Sequence, residues 1–276
     1  MEFENKKALV TGAASGIGKA IALSMAREGA EVFLADLNQQ GLEGVHAQIE
    51  SIGGKSRTRL ADVADRKQVE GMINAAISEM GHLDILVNNA GVTLIGEARD
   101  YSLEDWEWII GINLWSQIYS IHYVLPHMLE RKAGHIVNMA SAAGLVGLPG
   151  NAAYSATKFG IVGMSEVLRA ELKPHGIIIT VVCPGGVQTS FEKNARVRGL
   201  PNYRPGSFVK SHERSPDLIA DRIIGAIQKE KFLVIIGAEA KLIYQIKRTS
   251  IWLYLKVAQI LAGNLTKLKQ AQKEGQ

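Results

Sequence analysis

The chain has a single cysteine, Cys183, among 276 residues. No intrachain disulfide can form, and no cysteine-based metal site can be built. The seven histidines are scattered without an H-x-x-x-H or similar ligand spacing, so no metal site is expected from them. A charged-then-apolar leader is also missing, since Glu2, Glu4 and two lysines precede the first apolar run. A secretory signal is therefore not expected, and a cytoplasmic, reducing location is. In the tail the longest uncharged apolar stretch is Ile251–Leu255, far short of the about 20 residues that span a bilayer. Neither an internal repeat nor a low-complexity linker divides the sequence, and its length suits one large α/β domain.

What is present alternates. Apolar runs at Lys6–Val10, Glu31–Asp36, Gly54–Ala61, Leu83–Asn88, Gly134–Ala140, Ile177–Cys183 and Phe232–Ile236 are separated by helical patterns, the signature of βαβ units. Asp65 with Gln68 and Ser102 with Asp105 read as capping pairs. The second pair opens a helix expected to reach about Glu130 with Asn113 near its middle. Ser215-Pro216-Asp217 reads as an N-cap, a first-turn proline and an early acid.

Two patterns carry chemistry. Thr11-Gly-Ala-Ala-Ser-Gly-Ile-Gly18 sits between the first strand and an apolar helical face. Gly12, Gly16 and Gly18 let the backbone turn tightly and approach a pyrophosphate, whose charge the free N–H groups of the following helix can hold. The second strand ends in Asp36, eighteen residues after Gly18. A carboxylate there accepts from adenosine ribose hydroxyls and repels a 2′-phosphate. Further on, Tyr154 and Lys158 stand four residues apart, with Ser141 thirteen residues upstream of the tyrosine. Positions i and i+4 share a helix face. An ammonium beside a phenol favours the phenolate, so Lys158 is expected to draw the Tyr154 pKa down from about 10.

With these residues in order, the chain resembles a short-chain dehydrogenase/reductase of the classical type over roughly residues 5–236. The motifs that carry the resemblance are Thr11–Gly18, Asp62-Val63, Asn88-Asn89-Ala90-Gly91, Asn113, Ser141, Tyr154, Lys158 and Pro184-Gly-Gly-Val-Gln-Thr189. The resemblance implies a Rossmann-type, doubly wound α/β fold with a seven-stranded parallel sheet. It implies a catalytic tetrad of Asn113, Ser141, Tyr154 and Lys158. It also implies an NAD site made by Gly12, Ser15, Gly16, Ile17, Gly18, Asp36, Asp62, Val63, Asn89, Ala90, Gly91, Tyr154, Lys158, Pro184, Gly185, Val187 and Thr189. In that scheme Thr189 and the Val187 backbone fix the carboxamide, Lys158 meets the nicotinamide ribose, and Asn113 holds a water linking Lys158 to solvent. The expected domain spans 1–237, with a substrate lid at about 190–215, and a basic amphipathic helical extension follows at 238–276.

The apolar residues after Ser141 (Ala142, Ala143, Leu145, Val146 and Leu148) suit a hydrophobic alcohol or ketone better than a polyol. An NADP-dependent 3-oxoacyl reductase is the alternative, suggested by Lys193, Arg196, Arg198, Arg204, Lys210 and Arg214 in the lid, though Asp36 and Ser15 oppose it. Those charges are otherwise expected to face water. A non-catalytic nucleotide-sensing or membrane-associated scaffold is the third option. A homodimer or homotetramer is expected, as the resemblance implies.

Charge is uneven. Residues 241–276 carry seven lysines and arginines against one glutamate, a net of +6, while the other 240 residues carry 24 basic and 26 acidic side chains. No stacking-aromatic motif or recognition helix accompanies the basic tail, so a nucleic-acid partner is not expected. Positions 239–262 are expected to form one helix whose apolar side, including Leu242, Ile246, Leu253, Val257 and Ile260, is covered. The protein body or a sister subunit is the expected cover, with peripheral membrane contact as the alternative.

Overall fold

Strands covered by helices on both faces must be apolar throughout, and the central strands here are. A computed structural model describes residues 2–187, 191, 194–200, 203 and 214–274, with side chains to 260 and at 262–263. In chain order the strands are β1 (Lys7–Thr11), β2 (Glu31–Asp36), β3 (Lys55–Leu60), β4 (Ile85–Asn88), β5 (Leu94–Ile95), β6 (Gly134–Met139), β7 (Ile177–Pro184), β8 (Arg196–Val197) and β9 (Leu233–Ile236). The helices are α1 (Gly16–Arg27), α2 (Gln39–Ser51), α3 (Arg66–Met80), α4 (Leu103–Ile110), α5 (Ser116–Arg131), α6 (Ala152–Leu172), α7 (Pro216–Gln228), α8 (Ala238–Thr249) and α9 (Ile251–Glu274).

Seven strands form one parallel sheet in the order β3-β2-β1-β4-β6-β7-β9. Successive strand residues point to opposite faces. Val10 and Leu34 therefore join Ile21, Val45 and Ile223 under α1, α2 and α7. Their neighbours Leu9 and Phe33 join Met72, Ile73 and Val124 under α3 and α5 on the other face. The layering is Rossmann-like, doubly wound, in a single α/β domain with a C-terminal helical extension. Strand β3 departs from the apolar expectation, being polar and largely exposed. It lies at the sheet edge, where only backbone pairing with β2 is demanded of it.

The predicted caps are in place. Asp65 accepts from the N–H groups of Lys67 and Gln68, and Ser102 with Asp105 closes a capping box. Ser215 accepts from Leu218 N–H ahead of Pro216. The helix after Ser102 is continuous to Arg131, but it contains a π turn at Gly111–Trp115 that carries Asn113. Such single-turn widenings redirect side chains and recur at functional sites.

The tail departs further from expectation. It forms two helices broken at Ser250, whose backbone is extended (φ −150°) and whose hydroxyl caps Leu253 N–H at 3.2 Å. Its apolar side is only partly covered by the described residues: Ile246 and Val257 are half-buried, but Leu242, Leu253 and Ile260 are all more than half exposed. Among the described residues no helix is long and apolar enough to cross a membrane.

Candidate active site

At the carboxyl ends of β1, β4, β6 and β7 the chain breaks into turns that face one another. The turn after β1 needs its glycines. Gly12 and Gly16 have φ of +66° and +55°, conformations that cost a side chain energy. A Cβ on Gly18 would overlap the Gly12 carbonyl oxygen. Ser15 caps α1 in an extended conformation without a side-chain hydrogen bond. The first-turn N–H groups of α1 are thus left uncapped by any side chain, which suits an anion.

Thr11 fixes this turn to the next. Its hydroxyl accepts from Asn89 and Ala90 N–H at 3.0 and 3.1 Å. The Asn89 amide returns bonds to the Thr11 and Gly12 carbonyls at 2.9 and 3.3 Å. Asp36, at the tip of β2, accepts from Ala14 N–H and Asn38 N–H, both at 3.0 Å. Its carboxylate therefore shapes the glycine turn and keeps lone pairs for a further donor. Asp62 accepts from Ala64 N–H at 2.9 Å, and Val63 is buried beside it. Gly12, Ser15, Gly16, Ile17, Gly18, Asp36, Asp62, Val63, Asn89, Ala90 and Gly91 thus all lie at the end of β2 or in the turns and helix starts that follow β1, β3 and β4, along the carboxyl-terminal edge of the sheet.

The proton-handling residues lie on the other side of Gly91. Tyr154 and Lys158 share a face of α6, with the ammonium 5.6 Å from the phenol ring centroid. Lys158 Nζ donates to the Met139 carbonyl at 2.8 Å. Ser141 opens a short turn after β6, accepts from Ala143 N–H at 3.1 Å, and lies close enough to the Tyr154 hydroxyl to pull its pKa down. Gly144 permits this turn to approach α6, since a Cβ there would sit 2.5 Å from the Lys158 carbonyl oxygen. Asn113 is fully buried. It binds Val92 through both N–H and C=O at 2.8 and 2.9 Å, and donates to Thr157 Oγ1 at 3.2 Å. All four predicted tetrad residues converge on one region.

The electrostatics correct the sequence reading. Burial pushes the Tyr154 phenol up to about 12, against a downward pull from the Ser141 hydrogen bond. Burial also pulls Lys158 down to about 8. In the protein alone the phenol is thus held up and not drawn down, because desolvation dominates. Cys183 is a free, buried thiol that burial holds up at about 12, which keeps it in the unreactive protonated form.

Of the six lid cations, Arg196, Arg198 and Arg214 are described, and each is paired with a carboxylate rather than left to water alone. Arg198 forms a two-point pair with the buried Asp105 at 2.7 and 2.8 Å, and Arg196 reaches the same carboxylate at 3.3 Å. Arg196 also lies 4.0 Å from the Trp108 ring centroid, a cation–π contact. Arg214 grips Glu239 at 2.8 and 2.7 Å and donates to the Gly186 carbonyl. Lys193, Arg204, Lys210 and the predicted cofactor contact Thr189 lie outside the described residues. Pro184, Gly185 and Val187 sit at the end of β7, and Gly185 N–H bonds the Ile236 carbonyl at 2.8 Å. Of the apolar residues after Ser141, Ala143, Leu145 and Val146 are buried, and Ala142 and Leu148 are part-exposed. The Phe191 ring lies 6.0 Å from Tyr154, edge to face, and is an apolar neighbour of the phenol.

Sequence reasoning missed the supports. Thr157 bridges Asn113 and the Tyr154 carbonyl, and Asn88, Asn138 and Ser165 form a buried amide–hydroxyl chain at 3.0 Å per link. The available signal was polar side chains inside otherwise apolar strands. Among the described residues, no cluster of three His, Cys, Asp or Glu side chains could hold a metal.

Comparison with known proteins agrees with this geometry. The family model for short chain dehydrogenase matches residues 6–198. The chain is 43% identical over 193 residues to D-threitol dehydrogenase of Mycolicibacterium smegmatis, covering 70% of this chain and 74% of that one. It is 36% identical over 210 residues to cyclohexanol dehydrogenase of Acinetobacter sp., covering 74% and 84%. A short-chain dehydrogenase/reductase from Burkholderia phymatum, solved in complex with NAD, superposes with a TM-score of 0.83 at 28% identity, covering 92% of this chain and 96% of that one. The glycine turn, the Asn113–Ser141–Tyr154–Lys158 cluster and the family match together place this chain in the short-chain dehydrogenase/reductase family of oxidoreductases.

Proposed function

We propose that the protein is an NAD(H)-dependent oxidoreductase that interconverts a hydrophobic secondary alcohol and its ketone. The observation that carries this is Tyr154 on the same helix face as Lys158, whose ammonium lies 5.6 Å from the phenol ring centroid, with the Phe191 ring against it and Ser141 near its hydroxyl. When bound, a nicotinamide would supply the carbon that accepts or returns the hydride. Ser141 orients the substrate oxygen, and Tyr154 takes its hydroxyl proton in oxidation and gives it back in reduction. Lys158, held at about 8, keeps two donor positions beyond its bond to Met139 for the ribose and for relaying the proton. Asn113 positions the Val92 backbone and, as the resemblance implies, a water beyond Lys158.

Cofactor choice rests on Asp36. Its carboxylate lies against the glycine turn at Ala14, where a ribose 2′-phosphate would meet a like charge. The NAD complex of the Burkholderia phymatum relative supports the same reading. We expect NAD(H) to be preferred over NADP(H) by at least about tenfold in kcat/KM, a difference of ~1.4 kcal/mol. Steady-state kinetics with both cofactors tests this, and Asp36→Ala should narrow the ratio. Equal or better efficiency with NADP(H) would remove the assignment. In that event the second reading gains weight. It draws on 3-oxoacyl-acyl-carrier-protein reductase FabG of Thermotoga maritima, 35% identical over 217 residues, covering 77% of this chain and 88% of that one. The pairing of Arg196 and Arg198 with Asp105 weakens it, because those arginines are already engaged. A homodimer or homotetramer remains the proposed assembly.

A further inference from the structure

Between Glu239 and Glu274 the sequence contains no aspartate or glutamate, yet it holds Lys241, Lys247, Arg248, Lys256, Lys267, Lys269 and Lys273. This stretch makes α8 and α9. One side of the pair is committed to the protein body. Tyr254 is buried and its hydroxyl donates to the Gly147 carbonyl at 2.5 Å, while Lys247 donates to the Leu145 carbonyl at 2.7 Å. The remaining surface is apolar to an unusual degree. Trp252 is 76% exposed, Ile260 68% and Leu242 64%, and Ile251, Leu253 and Leu255 are all exposed. On a helix, Ile251, Trp252 and Leu255 fall on one flank away from Tyr254, and Leu253 and Ile260 on the other, with exposed Lys256 between them.

We infer that α8 and α9 dock the enzyme on an anionic lipid surface. Apolar side chains with an exposed tryptophan, interspersed with exposed Lys241, Arg248 and Lys256, match the acyl–headgroup boundary of a bilayer, and the α8 carboxylate, Glu239, is already paired with Arg214. No described helix is apolar enough to cross it, so the pair lies along the surface. Charge argues against a second copy as the cover. A two-fold interface sets the same patch against itself, and here it would oppose two tails of net +6 each. Lipid phosphates and carboxylates instead neutralise that charge. The two anchoring carbonyls, Leu145 and Gly147, belong to the turn that begins at Ser141. The inference stands on the tail and does not depend on the hydride chemistry.

Flotation of the full-length chain with vesicles tests it. The protein should float with equimolar phosphatidylcholine and phosphatidylserine at low ionic strength and stay unbound with phosphatidylcholine alone. Binding should fall on the order of tenfold at about 1 M salt, where the Debye length is about 3 Å. The exposed double variant Arg248→Glu/Lys256→Glu should bind anionic vesicles at least about tenfold more weakly, with a melting temperature near that of the parent. No flotation of the parent chain with anionic vesicles at low salt overturns the inference, as does equal binding to phosphatidylcholine alone. If the vesicles fail and Trp252→Glu converts a larger assembly to a smaller one by light scattering, a second copy covers the face and the lipid assignment is wrong. Because the salt and lipid dependence of the parent chain is read directly, a variant that fails to fold leaves the test decisive.

Discussion

At the scale of single residues, burial decides more than proximity. Tyr154 and Lys158 were legible from their spacing and Ser141 from its distance upstream, but the direction of the Tyr154 shift was not. A sequence shows which charges share a face and not how much water they lose. The same holds for His135, an internal residue of β6 whose Nε2 meets Thr180 Oγ1 at 2.8 Å and whose Nδ1 has no partner. Burial holds its pKa down to about 4, against an ordinary 6.5. Between those values the unfolded chain takes up a proton that the folded chain refuses. Stability should therefore fall as pH drops through that window, by roughly 3 kcal/mol in total. His127, also held down by burial, adds in the same sense. Urea denaturation at pH 7 and pH 5 measures the effect, and His135→Leu should flatten it. A second residue carries an element boundary and a loop together. Asp105 closes the α4 capping box and holds Arg196 and Arg198, with its carboxyl kept low chiefly by Arg198. Replacing it by alanine should cost ~1–3 kcal/mol. The two arginines are part-exposed and would be resolvated, so the loss should stay at the lower end in the denaturation midpoint.

At the scale of elements, local rules were read well and long-range contacts were not. The caps at Asp65, Ser102 and Ser215 are i to i+3 chemistry and could be seen in four residues of text. The π turn at Gly111–Trp115 could not, because it exists to bring Asn113 onto Val92 and Thr157, residues 21 and 44 positions away in sequence. The two-stranded sheet of β5 and β8 was missed for a similar reason. Each strand has two residues, and the pairing joins Leu94 to Arg196 across the lid. The break at Ser250 had a local signal, a serine three residues ahead of the Leu253 N–H it caps, masked by the apolar run around it. The ties from α8 and α9 to Leu145 and Gly147 were not legible at all. Removing one hydroxyl by Tyr254→Phe should cost about 1 kcal/mol, read as a lower urea midpoint at unchanged slope. It should also slow turnover modestly, since the turn it steadies begins at Ser141.

At the scale of the whole molecule, strand order places chemistry. The glycine turn follows β1 and the Asn89 turn follows β4, adjacent strands at the centre of the sheet, and β6 and β7 continue outward to Ser141 and Pro184. In the proposed reading, a dinucleotide spanning this edge would have its phosphates at the glycine turn and its reactive end at Tyr154, as open parallel sheets allow where the strand order reverses. This layout was implied by the resemblance and by the alternation of strands and helices. What covers the tail was not, because an exposed apolar face is a statement about a partner and not about the chain that carries it. The proton-transfer role of Tyr154 is the claim on which the functional reading stands. The most direct measurement is turnover of Tyr154→Phe with NAD⁺ across secondary alcohols of graded length, alongside NADH binding by fluorescence. Turnover should drop by at least about a hundredfold while NADH binding and the melting temperature stay near those of the parent. Retention of a near-parental rate by the phenylalanine variant, with cofactor still bound, would contradict it.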